Sequence, residues 1–264
     1  MLLVGPPVPD IQSLRSGAYV VKLNEARTLG RHIAALVEAG RLRQAELLLA
    51  PVLAQRIRFP LLGCIGETVG KGPLDLVNGF LEQVAAQKTE GGWVIIGTAL
   101  GAQLDRDLPG AFARSRAFIA LADVWYGADI LGERVPGPAL LTHFEGALAQ
   151  LAPWRTDSDR WVRRTVGVAV HYWAKRSQGA PDLSTKASTL LTLLEPMFSE
   201  WDLDSVKGVG WGLKTLGRYY PDLVAAWLVE QLAHGQRRHR ALMLRKALTY
   251  LSAEQRARAT RATH

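Results

Sequence analysis

From Asn24 onward, apolar residues recur at helical spacing in one segment after another, with polar positions filling the faces between them. Asn24 is the expected N-cap of a helix over residues 25–38, with Gly40 as its stop. Further apolar-periodic segments cover 42–55, 73–87, 93–105, 109–131, 138–151, 159–176, 184–198, 203–218, 221–234, 236–249 and 252–263. Breaks fall at Gly72–Pro73, Gly91–Gly92, Pro109–Gly110, Pro136–Gly137–Pro138, Gly179–Pro181 and Pro221, where helix punctuation is expected. The one strand-like stretch, Trp93 to Ile96, is too short to seed a sheet, and period 2 recurs nowhere. The predicted class is all-α.

Helices of roughly 12–17 residues with short linkers, and no long central helix, fit an α-solenoid of stacked antiparallel helix pairs better than a four-helix bundle. No strict repeat of about 34 or 40 residues is present. The repeats are therefore degenerate, as HEAT-like repeats commonly are. Residues 1–23, with Pro6, Pro7 and Pro9, read as an irregular arm, and 24–264 as a single HEAT-like repeat domain. A solenoid has a concave face suited to wrapping something long.

Composition narrows the class of function. Of 264 residues, 48% are apolar and 21% charged, which excludes wholesale disorder. The single cysteine, Cys64, excludes a disulfide framework and a Cys-based zinc site. His32, His143, His171, His234, His239 and His264 show no metal-ligand spacing, so neither a metal nor a cofactor is expected. No uncharged apolar run reaches the roughly 18 residues of a membrane span. The segment Met1 to Pro9 lacks the features of a signal peptide, so a soluble, cytoplasmic monomer is the expectation. The net charge is +8, and residues 235–264 carry eight basic residues against Glu254 alone. That concentration predicts a basic concave face and a polyanionic partner.

Two helix faces carry cations beside aromatic rings. In 203–218, Val206, Val209, Leu213 and Leu216 form the buried side, and Lys207, Trp211, Lys214 and Arg218 share another stripe. Gly208, Gly210 and Gly212 surround that tryptophan, at about 1 kcal/mol each relative to alanine. Close approach of another backbone or of a bulky ligand would offset this, and the cations on the stripe favour a ligand. In 159–176, Arg160, Arg164, His171 and Lys175 line up, with Gly167 opening the middle. Arg163 falls about 100° away from Arg164 and has a separate task, with Asp157 or Asp159 as a possible partner.

A third face carries an acid. In LADVWYGADIL (121–131), Trp125 and Asp129 stand one helical turn apart on the same side. A groove for a polyanion gains nothing from a carboxylate aimed at phosphate. A purely structural alternative pairs Asp129 with Arg134 and buries Trp125.

WVRRTVGVAVHYW (161–173), VKGVGWGLKTLGRYYPDLV (206–224) and WYGAD (125–129) together resemble the motifs of the AlkD-like DNA alkylation repair family, glycosylases built from HEAT-like repeats. The resemblance covers roughly residues 90–250 and is strongest from 121 to 224. It implies that Asp129 is the catalytic carboxylate, that Trp125 and Trp211 are the cleft tryptophans, and that Arg164 is the cleft arginine. It also implies a lesion that stays stacked in the duplex while the concave face grips the backbone, with no base-flipping pocket.

The chemistry is coherent with those residues. A purine alkylated at N3 or N7 carries a positive charge and departs neutral, so the general acid of an ordinary glycosidase is unnecessary. One carboxylate can stabilise the oxocarbenium-like sugar and orient water, and two indoles offer π faces to a cation. The expected partner is double-stranded DNA with alkylated bases. Arg160, Arg163, His171, Lys175, Lys207, Lys214, Arg218, Arg237, Arg238 and Arg245 form the expected contact set, mostly to phosphate. Two alternatives remain open at this point: a non-catalytic DNA-binding protein for damaged or branched DNA, and an α-solenoid scaffold for an acidic protein.

Overall fold

A computed structural model describes residues 22–232 and 240–261, with no strand among the described residues. The arm expected over 1–23 lies outside them except for its last two residues. There α1 (Leu23–Glu38) begins one residue before the expected cap. The Glu25 carboxylate accepts the Lys22 N–H at 2.8 Å, so Asn24 sits inside the first turn.

Along the chain follow α2 (Leu42–Leu53), α3 (Phe59–Gly70), α4 (Leu74–Ala86), α5 (Glu90–Gly101) and α6 (Leu108–Ala122). Next come α7 (Trp125–Gly132), α8 (Pro136–Thr142), α9 (Phe144–Leu151) and α10 (Arg160–Ser177). The chain closes with α11 (Ser184–Leu194), α12 (Leu203–Tyr219), α13 (Pro221–Leu232), α14 (Arg240–Ala247) and α15 (Ala253–Arg261).

The helices stack as a ladder. Helix α1 packs on α3, α3 on α5, α5 on α7, α7 on α10, α10 on α12 and α12 on α14. A second row takes α2, α4, α6 and α9, and then α11, α13 and α15. This is the solenoid-like arrangement that the helix lengths predicted. Trp93, Trp173, Phe80 and Phe112 are fully buried between the rows, each stabilising the fold by about 1.5–3 kcal/mol.

Several segments differ from the sequence expectation: that over 138–151 divides at His143 into α8 and α9, and three others differ for a physical reason. Helix α3 falls in a stretch where no segment was expected, because Gly63, Gly66 and Gly70 weaken its helical signal. Those glycines serve packing: a Cβ on Gly66 would lie 2.5 Å from the Ile95 carbonyl, and one on Gly70 would collide with that of Ala99. The Gly91–Gly92 break is instead the first turn of α5, capped by the Thr89 hydroxyl accepting the Gly92 N–H at 3.1 Å. The strand-like Trp93 to Ile96 is therefore helix, and it is buried on all sides because α5 lies in the middle of the ladder. Finally, the single segment expected over 109–131 divides at Asp123, whose left-handed φ of 47° ends α6 and starts α7 at Trp125.

Candidate active site

The division at Asp123 sets the stripe that follows it. The Asp123 carboxylate accepts the indole N–H of Trp161 from α10 at 2.8 Å, pinning the turn against the neighbouring helix. Asp159 caps α10 by accepting the N–H groups of Trp161 and Val162, and Asp202 caps α12 through Asp204 and Ser205. These caps fix where α10 and α12 begin, and with them the height of each functional side chain.

Between α7 and α10, Arg164 holds Asp129 in a two-pronged ion pair. Its Nε donates to Oδ1 at 2.8 Å and its Nη2 to Oδ2 at 2.9 Å. The remaining nitrogen donates to the Asp204 carbonyl at the start of α12, at 3.1 Å. Asp129 is thus paired with Arg164. Arg134 turns away, donating to the Ile130 carbonyl and lying over the Phe59 ring. Trp125, one turn before Asp129, is 57% exposed, which places an open indole face beside the carboxylate.

Trp211 stands on α12, next to α10 in the row. Its indole is half-buried and stacks on the His171 ring, with centroids 3.8 Å apart. His171 is buried, and its Nδ1 lies 2.7 Å from the Thr215 hydroxyl. With the Thr215 hydroxyl directed to the Trp211 carbonyl, the hydrogen of the neutral His171 ring is assigned to Nδ1 and the lone pair to Nε2. Burial first, and Lys175 second, push the His171 pKa down to about 4, leaving the ring neutral at physiological pH.

The glycines of α12 answer to neighbouring helices rather than to a ligand, contrary to the expectation from the stripe. A Cβ on Gly208 would collide with the Arg164 carbonyl, and one on Gly167 with Gly208 itself. Two backbones in direct contact explain how Arg164 reaches both neighbouring helices. Gly210 makes room for the aliphatic stem of Lys246 from α14, 3.1 Å from where its Cβ would be.

The expected DNA contacts fall into three groups. Lys175, Lys207, Arg218 and Arg245 are exposed, and Lys214 is half-buried beside the Tyr250 ring. Arg160 is exposed and stacks on the Trp161 ring at 4.9 Å. Arg163 and His171 must be withdrawn from the contact set. Arg163 is buried, donates to Glu200 at 2.7 Å and to the Asp157 and Ser158 carbonyls, and is a strut under the start of α10. The Asp157 carboxylate is taken by Arg116 and that of Asp159 by the helix cap, so Arg163 pairs with neither carboxylate and meets Asp157 through its carbonyl. His171 is the support of Trp211. Arg237 and Arg238 lie outside the described residues.

Two residues escaped sequence reasoning. Glu133 continues the Trp125–Asp129 stripe by one more turn, a signal present in the periodicity. Lys246 was visible only as part of the basic tail. It lies near Lys214, Arg245, Arg164 and Lys207, and burial followed by those charges lowers its pKa.

Comparison with known proteins identifies the family. The family profile described as DNA alkylation repair enzyme matches residues 94–251, which include α7, α10, α12 and α14. The chain belongs to the DNA alkylation repair enzyme family. The span of this match is close to the 90–250 over which the motifs resemble that family. The family fold is also seen in the structure of Pseudomonas fluorescens alkylpurine DNA glycosylase AlkC bound to DNA containing an abasic site analog. The two share 18% sequence identity with a TM-score of 0.54, over 89% of this chain and 65% of that one. This chain therefore spans just under two thirds of that protein's length. No curated protein matches it in sequence.

Proposed function

We propose that this member of the DNA alkylation repair family is a glycosylase that releases cationic N3- or N7-alkylated purines from duplex DNA. The observation that carries the proposal is the Asp129–Arg164 pair, with an exposed Trp125 one turn before the acid on α7 and a half-buried Trp211 supported by His171 on α12. A structural ion pair alone would not need a solvent-exposed indole one helical turn from its acid.

In this reading the Asp129 carboxylate faces the deoxyribose C1′ as the C1′–N bond lengthens, and its charge stabilises the sugar cation. The alkylated base leaves with the bonding electrons and becomes neutral, so no acid is required at the leaving group. Trp125 and Trp211 attract the cationic nucleotide through their π faces, each worth about 0.5–2 kcal/mol. Lys175, Lys207, Lys214, Lys246 and Arg245 come from α10, α12 and α14, consecutive members of one row. They form the basic face, concave in this proposal, that tracks the phosphates. Binding by such a face is salt-sensitive and indifferent to sequence. That the relative AlkC is an alkylpurine DNA glycosylase and was captured on DNA supports the proposal.

The test is base release from a duplex carrying one 7-methylguanine, comparing wild type with Asp129→Asn at low and moderate salt. Release by the wild type, lost in the variant while duplex binding survives, is the expected result. Salt-dependent binding with no release by the wild type would leave a non-catalytic DNA-binding protein. Absence of binding would leave a scaffold.

A further inference from the structure

Hydrolysis at C1′ must dispose of a proton from the attacking water, and Asp129 is badly placed to receive it. Both its oxygens already accept N–H groups of Arg164. That grip takes one lone pair of each oxygen and fixes the carboxylate toward the sugar, which leaves the proton to a second base.

One turn further along α7 stands a carboxylate that the scheme above leaves unused. Glu133 follows Asp129 by four residues, which puts the two Cβ atoms about 5–6 Å apart on one stripe. It is half-buried, and its Oε1 lies 4.0 Å from His171 Nε2. The tautomer of His171 gives this distance its meaning. Nδ1 is committed as a donor to Thr215, so Nε2 offers Glu133 a lone pair. At 4.0 Å the two atoms make no hydrogen bond; an ionised Glu133 has no donor to approach there, whereas a protonated Glu133 gains an acceptor by a small movement of its side chain. The surroundings agree in direction. Burial raises the Glu133 pKa first, Arg134 opposes it, the charge of Asp129 adds to it, and Lys175 and Arg176 on α10 oppose it.

We infer that Glu133 is the base that takes the proton of the attacking water, with Asp129 kept for the sugar cation and the neutral His171 ring receiving the new O–H of Glu133. The inference rests on the glycosylase reading of the same site. The step balances: the water oxygen bonds to C1′, and the C1′–N bond breaks with its electron pair passing to the purine, which leaves neutral. The water proton passes to a Glu133 oxygen. The positive charge of the lesion and the negative charge of Glu133 disappear together, and an abasic sugar bearing a C1′ hydroxyl remains.

Glu133→Gln separates this role from a structural one, because it keeps the size of the side chain and removes only its capacity as a base, while Trp211 keeps its support from His171 and Thr215. The experiment follows single-turnover release of 7-methylguanine by wild type, Glu133→Gln, Glu133→Asp and Asp129→Asn between about pH 5 and pH 8, with duplex affinity measured alongside. Glu133→Gln should slow release at neutral pH by about tenfold or more and lose the acidic limb of the wild-type profile, with affinity unchanged. Glu133→Asp should keep an acidic limb at a reduced rate. Release by Glu133→Gln at the wild-type rate with the limb intact would overturn the inference while leaving the glycosylase reading standing, provided Asp129→Asn is inactive. A loss of release matched by a loss of affinity would also overturn it, in favour of a structural role. A wild type that releases no base would overturn both.

Discussion

The guanidinium of Arg164 spends all three of its nitrogens on neighbouring helices, two on the carboxylate of Asp129 and one on the carbonyl of Asp204. The pair is largely shielded from solvent, so it joins α7, α10 and α12 as well as holding the carboxylate in place. Removing one partner leaves the other charged and poorly hydrated.

A double-mutant cycle measures that coupling. Arg164→Met and Asp129→Asn should each lower unfolding stability by about 2–4 kcal/mol, and the double variant should lose less than the sum of the two. Urea unfolding of the four proteins checks it. Additive losses would mean that the two side chains act on stability independently.

The backbone contact behind this pair is equally specific. Gly208→Ala places a methyl group against the Arg164 carbonyl, which backbone cannot yield easily. It should destabilise the protein by about 1–3 kcal/mol or more through overpacking. Gly79→Ala in α4 is the control. Its nearest neighbour is the Leu42 Cδ1 atom at 3.5 Å, so it should be neutral or stabilising by up to about 1 kcal/mol. Thermal unfolding of the two variants decides.

These contacts show how far the sequence could be read. Periodicity identified helices and the faces of α7, α10 and α12 because each has a consistent apolar side. It placed Trp125 with Asp129 and Trp211 with its cations without any knowledge of tertiary contacts. It could not tell which polar residues a neighbouring helix would cover. Arg163 and His171 look like solvent-facing positions on a wheel, but the ladder buries a helix from both sides, and Glu200 and Trp211 cover them. Glycine spacing misled in α3 and α12 for a related reason. A low helical propensity was the only local trace of a backbone contact made with a partner distant in sequence. Glu133 lay on a stripe already recognised, and the reading stopped one turn too soon.

The division of the arginines and lysines into struts and contacts is open to measurement. Lys207 is exposed and, among the described residues, pairs with Asp204, three residues away. Lys207→Ala should reduce the slope of log K against log salt for duplex binding by about 1 and leave stability within about 0.5 kcal/mol. Arg163→Ala should leave the slope unchanged. It strands the buried Glu200 carboxylate, at about 3–5 kcal/mol of stability. A change of slope with Arg163→Ala would return that residue to the interface.

His171 makes the stability of the site sensitive to acid. Its folded-state pKa of about 4 lies below the 6.5 of an unburied histidine. Below pH 6.5 the unfolded chain therefore takes up a proton that the folded protein resists. The stability from a neutral His171 is complete above that pH, falls as pH drops toward 4, and falls no further beyond it. After a discount for the solvent that still reaches the ring, the loss amounts to about 2 kcal/mol. Glu133 works in the opposite direction, since a raised folded-state pKa favours the folded protein as acid is added. The informative comparison is thus between wild type and His171→Gln, in which Glu133 is retained. Urea unfolding at pH 7, 6, 5 and about 4 should show a smaller loss of stability in the variant than in the wild type, although the variant starts lower at pH 7 because Trp211 has lost its stacking partner. Parallel losses in the two proteins would mean that the folded ring takes up its proton as readily as the unfolded one, so that in acid below about pH 6.5 Glu133 faces a donor at Nε2 rather than a lone pair.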